Sequence, residues 1–284
     1  MTVIEAITKG TEFLQRKQIE SPRLQTELLL AHILNLPRLR LYLEFERPLM
    51  EAQSNTLRDL LVQRSNHVPL QHLTGSASFC GCPILVSRAV LIPRPETEML
   101  AEAAWLFLKS LQRETNFLDV GTGSGCIPIA IAAHEPGARG VAIDLSKEAL
   151  AVAAENVAKN QLSARIELRE SDLFSGVTEK FDAIVSNPPY IPSSEIETLD
   201  PEVRDHDPRS ALDGGADGLD FYRLIAAQAP AFLKADARIF LEFGDGQGPA
   251  LASLFEAEGW KVEKIVADLS KRDRILIASR SAGN

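Results

Sequence analysis

Cysteine is scarce in this chain. The 284 residues hold three, Cys80, Cys82 and Cys126. A low, odd count argues against a disulfide framework and suits a reducing cytoplasm. Cys80 and Cys82 form a C-x-C pair with no second ligand pair near it, so no metal centre is expected. Long apolar runs are missing too: none reaches the roughly 18 residues that a membrane span needs. Residues 1–13 lack the apolar stretch of a signal peptide. Basic excess is also absent, with 30 Lys+Arg against 39 Asp+Glu and a net charge of −9. Polyanion binding needs a basic footprint, so neither direct nucleic-acid binding nor a membrane surface is expected. No internal repeat or low-complexity tract interrupts the sequence. The expectation is a soluble cytoplasmic protein.

What is present is ordinary for a globular chain: 45% apolar and 24% charged residues. At roughly 150 residues per domain the length suggests two. The charge is uneven. Residues 1–75 carry nine Lys/Arg and eight Asp/Glu, a net of +1, and the remainder carries a net of −10.

Residues 1–66 read as short helices separated by Pro37 and Pro48. Leu24, Leu28, Leu29 and 31–34 recur near the 3.6 period, with Ser21 as N-cap and Pro22 at the first helical position. A second helix fits 51–66, with Leu57, Leu60 and Leu61 on one face. From 68 to 95 the texture changes. Gly75, Gly81, Pro83, Pro93 and Pro95 punctuate β-prone pieces at 84–86 and 90–92, which predicts a hairpin linker. A helix fits 96–111.

From Asn116 onward strands and helices alternate. Strands are predicted at 117–120, 141–144, 165–168, 181–185 and 238–243. Helices are predicted at 127–133, 147–159, 221–233 and 248–258. This alternation predicts a doubly wound α/β sheet. Strands at 261–266 and 274–279 are too closely connected for a parallel crossover, so they should pair antiparallel.

Three features carry chemistry. The first is Asp119-Val120-Gly121-Thr122-Gly123-Ser124-Gly125, directly after a predicted strand and opening a helix. Its spacing is G-x-G-x-G and not the dinucleotide G-x-G-x-x-G. A carboxylate two residues before the first glycine offers a pyrophosphate nothing and a cationic ammonium group a partner. That points to S-adenosylmethionine over a nicotinamide cofactor. The second is Asp144, at the end of the next strand, where an acid can accept from both ribose hydroxyls; its bland alternative is a helix cap. Asp172 and Leu173, after the third strand, should lie on the same rim, near an adenine. The third is Asn187-Pro188-Pro189-Tyr190, after the fourth strand. Proline lacks an amide donor and the turn is stiff, so carbonyls stay free as acceptors. Asn187 adds a side-chain acceptor, and two acceptors can hold the two hydrogens of a planar NH₂. Tyr190 offers a face for stacking.

Together these residues resemble the amino-methyltransferases of the Rossmann-like fold. Further segments narrow the resemblance: 69–75 (P-L-Q-H-L-T-G), 91–98 (L-I-P-R-P-E-T-E), 186–192 (S-N-P-P-Y-I-P), 207–212 and 241–247. From about Ser21 to Ala278 the chain is similar to the HemK/PrmC family. It departs from the family's pattern at Cys80, at Asp207 and at Leu173.

The resemblance implies a seven-stranded methyltransferase sheet, its last strand antiparallel, after a small helical bundle and a β-hairpin linker. The divisions expected are 1–75, 76–95 and 96–284. It also implies methyl transfer to the amide nitrogen of the glutamine in the Gly-Gly-Gln motif of class I peptide chain release factors. Cofactor contacts are expected from Asp119, Gly121, Thr122, Gly123, Ser124, Gly125, Asp144, Asp172, Leu173 and Asn187. Substrate contacts are expected from Asn187, Pro188, Pro189 and Tyr190, with Asn187, Pro188 and Tyr190 catalytic and no metal. The alternatives are a nucleic-acid amino-methyltransferase and a non-catalytic ribosome-associated module. The segment 93–98 is expected to support the cofactor pocket, and the acidic stretch 194–207 is either a solvated loop or a lid.

Overall fold

A computed structural model describes residues 1–280. Its contacts divide the chain into two compact units, Met1–Ser76 with Asp200–His206, and Ala77–Leu199 with the described residues from Asp207 onward.

The first unit is helical: α1 (Val3–Arg16), α2 (Pro22–Leu34), α3 (Arg38–Leu41), α4 (Glu51–Ser65) and α5 (Leu70–Thr74). Thr2 and Glu5 form a reciprocal capping box that starts α1. Ser21 departs from its expected capping role. It sits in the left-handed region at φ 46° and its side chain makes no cap bond, so Pro22 alone starts α2. Val3, Ile7, Leu14, Leu29, Leu30, Leu41, Leu57 and Leu61 form the core. Glu27 is buried among them and is held by Arg23 at 2.9 Å, Arg38 at 3.0 Å and the Tyr42 hydroxyl at 2.8 Å. The late segment 200–206 belongs here because Glu202 pairs with the buried Arg64 at 2.5 Å.

The second unit opens with a hairpin, β1 (Ser76–Phe79) and β2 (Cys82–Leu85), turning at Cys80-Gly81. The expected strand at 90–92 does not form; that stretch is irregular. Then come α6 (Pro95–Ser110), β3 (Thr115–Val120), α7 (Cys126–His134), β4 (Ala138–Asp144), α8 (Lys147–Lys159), β5 (Ile166–Glu170) and β6 (Phe181–Ser186). The short α9 (Pro201–Arg204), in the first unit, precedes α10 (Asp220–Gln228), β7 (Leu233–Glu242), α11 (Gly248–Ala257), β8 (Trp260–Ala267) and β9 (Asp273–Arg280). The stretch 194–207 is thus no plain loop, since it carries a 3-10 turn and α9.

Seven strands form one sheet in the order β5-β4-β3-β6-β7-β9-β8. β5, β4, β3, β6 and β7 are parallel, and β9 runs antiparallel between β7 and β8. The two faces separate by residue parity. Phe117, Ala142, Ala183 and Phe240 pack under α6, α7 and α8. Leu118, Ile143, Ile184 and Ile239 pack under α10 and α11. Every residue of β6 is buried, as a central parallel strand covered on both faces requires. The chain leaves β3 toward β4 on one side and returns to β6 on the other. This reversal opens a crevice beyond the carboxyl ends of β3 and β6, the usual ligand position in an open α/β sheet. No helix among the described residues is long and apolar enough to cross a membrane.

Candidate active site

The crevice contains a cavity of about 320 Å³, within the size range of small-molecule sites. It is lined by Gly121, Thr122, Gly123, Ser124, Asp144, Asp172, Leu173, Asn187, Pro188 and Pro189 among others. A larger hollow of about 480 Å³ lies at the opposite strand ends, beside Arg139, Arg165 and Arg169. Those guanidiniums already bond to backbone carbonyls or to Glu167 and Glu179, so the larger hollow presents no unspent chemistry.

Gly121, Gly123 and Gly125 all have positive φ, at 74°, 53° and 78°, which L side chains rarely adopt. The turn they make is not an anion nest. The Gly121 and Thr122 amides both donate to the Ile143 carbonyl at 2.9 Å, and the Gly125 amide donates to Thr122 at 2.9 Å. The Gly123 amide donates to Asp144 Oδ2 at 2.8 Å, while Asp144 Oδ1 accepts from the Ser146 amide at 2.9 Å. Asp144 therefore braces the turn while it lines the cavity, and the cap of α8 is Ser146, not Asp144. With those four amides engaged, little remains to bind phosphate.

Asp119 does not line the cavity. It is completely buried behind the turn, and neither carboxylate oxygen has a hydrogen-bond partner among the described residues. Burial pushes its pKa up to about 7; the Thr122 side chain opposes the rise and the Asp144 charge adds to it.

Leu173 lines the rim in the left-handed region at φ 45°, a conformation that costs an L residue about 1–2 kcal/mol. Ser171 holds it there, donating to the Leu173 carbonyl at 2.6 Å and accepting from the Gly176 amide at 2.9 Å.

Asn187 leaves the end of β6 with its Nδ2 donating to Thr97 Oγ1 at 3.1 Å. Its Oδ1 and the Pro188 and Pro189 carbonyls take no hydrogen bond among the described residues. Tyr190 turns away and is not a cavity residue: its ring packs on the α10–α11 side of the core. Burial raises its hydroxyl to about 12. The physical reason lies in the segment behind it. A Cβ on Gly214 would stand 2.8 Å from the Pro189 carbonyl, and one on Gly218 would stand 2.3 Å from the Tyr190 carbonyl. Backbone presses on backbone there, and the Gln247 amide donates to the Tyr190 carbonyl at 2.9 Å.

The segment 93–98, expected beside the pocket, and residues that the sequence did not single out complete the wall. Thr97 and Arg94 line it, with Arg94 paired to the buried Asp207 at 2.5 Å. Pro208, Ser210 and Phe221 line it as well. Glu242 ends β7 nearly fully buried, with Oε2 unpartnered among the described residues. Burial raises its pKa to about 7; Thr97 pulls it back, Glu96 adds to the rise, and Arg274 and Asn187 oppose. A glutamate inside the apolar run 239–243 was the available signal. Among the described residues no group of three or more His, Cys, Asp and Glu side chains could hold a metal ion.

Two family models match the chain: the PrmC N-terminal domain at residues 5–75 and the methyltransferase small domain at 97–199. The release factor glutamine methyltransferase of Geobacter sulfurreducens is 42% identical over 89% of this chain and 87% of its own. That of Cereibacter sphaeroides is 41% identical over 98% of each. Among solved structures, the release-factor-specific protein-(glutamine-N5) methyltransferase of Alicyclobacillus acidocaldarius is 36% identical, covering 67% of this chain and 95% of its own at a TM-score of 0.42. The hMettl16 catalytic domain, solved with an RNA hairpin, shares the fold at a TM-score of 0.56 and 15% identity, over 82% of this chain and 83% of its own.

Proposed function

The chain belongs to the family of release factor glutamine methyltransferases, and from that premise we propose that it methylates the side-chain amide nitrogen of the Gly-Gly-Gln glutamine in class I peptide chain release factors. The observation that carries this reading is that Asn187 and Pro188 both line the cavity while Asn187 Oδ1 and the Pro188 carbonyl take no hydrogen bond among the described residues. Two such acceptors can take both hydrogens of a planar amide NH₂ and aim its nitrogen. An amide nitrogen is a poor nucleophile because its lone pair is delocalised. Acceptors placed where positive charge grows on nitrogen favour the transition state over the ground state. In this reading the proton leaves the methylated nitrogen after transfer.

The cofactor in this reading is S-adenosylmethionine, which supplies an electrophilic methyl group when bound. The residues fit it. Asp119 keeps a buried carboxylate without a partner behind the glycine turn, and the turn's engaged amides disfavour a pyrophosphate. Gly121, Thr122, Gly123 and Ser124 would form the floor, with Gly125 behind them at the start of α7 and off the cavity surface; Asp144 would accept from ribose hydroxyls, and Asp172 and Leu173 would border the adenine.

The helical unit, nearly neutral over residues 1–75, recognises the release factor in this reading. The three free thiols suit a reducing cytoplasm. Incubating the protein with labelled S-adenosylmethionine and a purified release factor, with tRNA and DNA in parallel, tests the assignment. Label should enter the release factor only. Label in nucleic acid instead would replace it with the amino-methyltransferase reading.

A further inference from the structure

The Asn187 carboxamide has two nearly isosteric ends. Turned one way it presents an acceptor to the cavity; turned the other way it presents a donor, which would face the hydrogens of a substrate NH₂ and repel them. Something must choose between the two, and the choice is made behind the cavity wall.

β6 and β7 are paired through Ser186 and Leu241 in parallel register, so Asn187 and Glu242 follow as neighbours at the two strand ends. Thr97, from the first turn of α6, completes the group: its hydroxyl accepts from Asn187 Nδ2 at 3.1 Å. All of Thr97 and Glu242 is buried. A hydroxyl that accepts from Asn187 has its own hydrogen left to give, and Glu242 is the neighbouring acceptor. A carboxylate accepts only, so it polarises both groups in one direction.

We propose that Glu242 and Thr97 are positioning residues that lock the Asn187 amide with its nitrogen inward and its oxygen toward the cavity. This rests on the reading of Asn187 as the substrate-amide acceptor, but the lock itself is a property of the free protein. Glu242 holds the lock while ionised. Once protonated it gains a donor and no longer enforces one orientation. The groups that face it are Thr97 and Glu96 from α6, Asn187 and Tyr190 from the segment after β6, Tyr222 from α10, whose hydroxyl donates to the Glu242 backbone carbonyl at 2.7 Å, and Arg274 from β9.

The test has two arms. In nuclear magnetic resonance of the free protein, the Asn187 side-chain amide signal, assigned by its loss in Asn187→Ala, should titrate with a midpoint near 7 between about pH 5 and about pH 9. The titration should vanish in Glu242→Gln, and Thr97→Val should speed exchange of the Asn187 amide protons. In single-turnover methylation of a whole release factor at saturating cofactor, Thr97→Val and Glu242→Gln should each lose about 10–100-fold in rate, the range for one misplaced hydrogen bond at a reacting group. Cofactor affinity should stay within about twofold, and Thr97→Ser should recover most of the rate. An Asn187 amide insensitive to pH in the native protein, or folded variants with the native single-turnover rate, overturns the proposal. A native protein that methylates no release factor overturns the functional reading, and the resonance arm still decides the lock.

Discussion

Val120 and Ser186 stand opposite each other in the parallel register of β3 and β6, and the Ser186 hydroxyl donates to the Val120 carbonyl at 2.6 Å. The bond closes the last rung of the sheet at the point where chain direction reverses. One residue further, Gly121 begins the turn that floors the cavity and Asn187 begins the segment that presents acceptors. Two motifs 66 residues apart in sequence are thereby set side by side by one strand pair.

Asp144→Ala should weaken S-adenosylmethionine binding by about 1–3 kcal/mol, the loss of hydrogen bonds to an ionised acceptor. Part of that loss comes from the turn, because the Gly123 amide loses its partner. Titration calorimetry checks it; unchanged affinity would remove Asp144 from the site.

Asn187→Ala should lower the single-turnover rate by about 10²–10³, as for the removal of one preorganised donor or acceptor at a developing charge. Cofactor affinity should change much less, since the floor of the cavity is untouched. Rapid-quench methylation of a release factor measures the first and calorimetry the second.

Asp119 should make the free protein less stable as pH rises. Its folded pKa, about 7, lies above the ordinary 3.8 of an aspartate. Between those values the folded state holds a proton that the unfolded state has released, so stability falls across that window and levels off above 7. Glu242 adds a slope of the same sign between its ordinary 4.5 and about 7. Thermal melts of native protein and Asp119→Asn from pH 5 to pH 8 should show a shallower decline in the variant. A cationic ligand group beside Asp119 favours the carboxylate, so binding should release a proton and tighten as pH rises to about 7. Calorimetry in buffers of different ionisation enthalpy counts that proton.

On the helical unit, Leu39 and Leu43 are 73% and 75% exposed. A double change to serine should leave folding and cofactor affinity intact while raising KM for the whole release factor, if these apolar side chains meet it. Removing residues 1–75 outright is a less clean experiment, because 200–206 packs with the same unit and would lose Arg64. Equal KM in the double variant would place recognition elsewhere.

The sheet was legible because its strands are short apolar runs between amphipathic helices, and α8 follows the predicted bounds. The glycine turn and 187–190 were legible because unusual residue types fall at strand ends. The linker was harder. Cys80 and Gly81 take φ of 48° and 78°, the two-residue turn that asparagine and glycine usually signal. Val90 and Leu91 looked β-prone because they are apolar, yet they face the cavity. Thr97 and Glu242 are 145 positions apart and become neighbours only when α6 docks on the finished sheet. Asp119 and Tyr190 were recognised by type, but depth behind the cavity wall is a property of packing that spacing does not encode.

The pairing of Arg64 with Glu202 spans 138 residues and has a consequence for the chain as it is made. At about 5–20 residues per second, the ribosome releases Glu202 on the order of ten seconds after Arg64. Through that interval the α4 guanidinium has Gln25 and the Val68 carbonyl as partners but no counter-charge. The helical unit, first to emerge, is therefore completed only after six strands, the β1–β2 hairpin and four strands of the seven-stranded sheet, have left the ribosome. Its completion thus waits on a large part of the catalytic unit, and a nascent chain stalled before residue 200 should present the helices in a less protected state than the finished protein does.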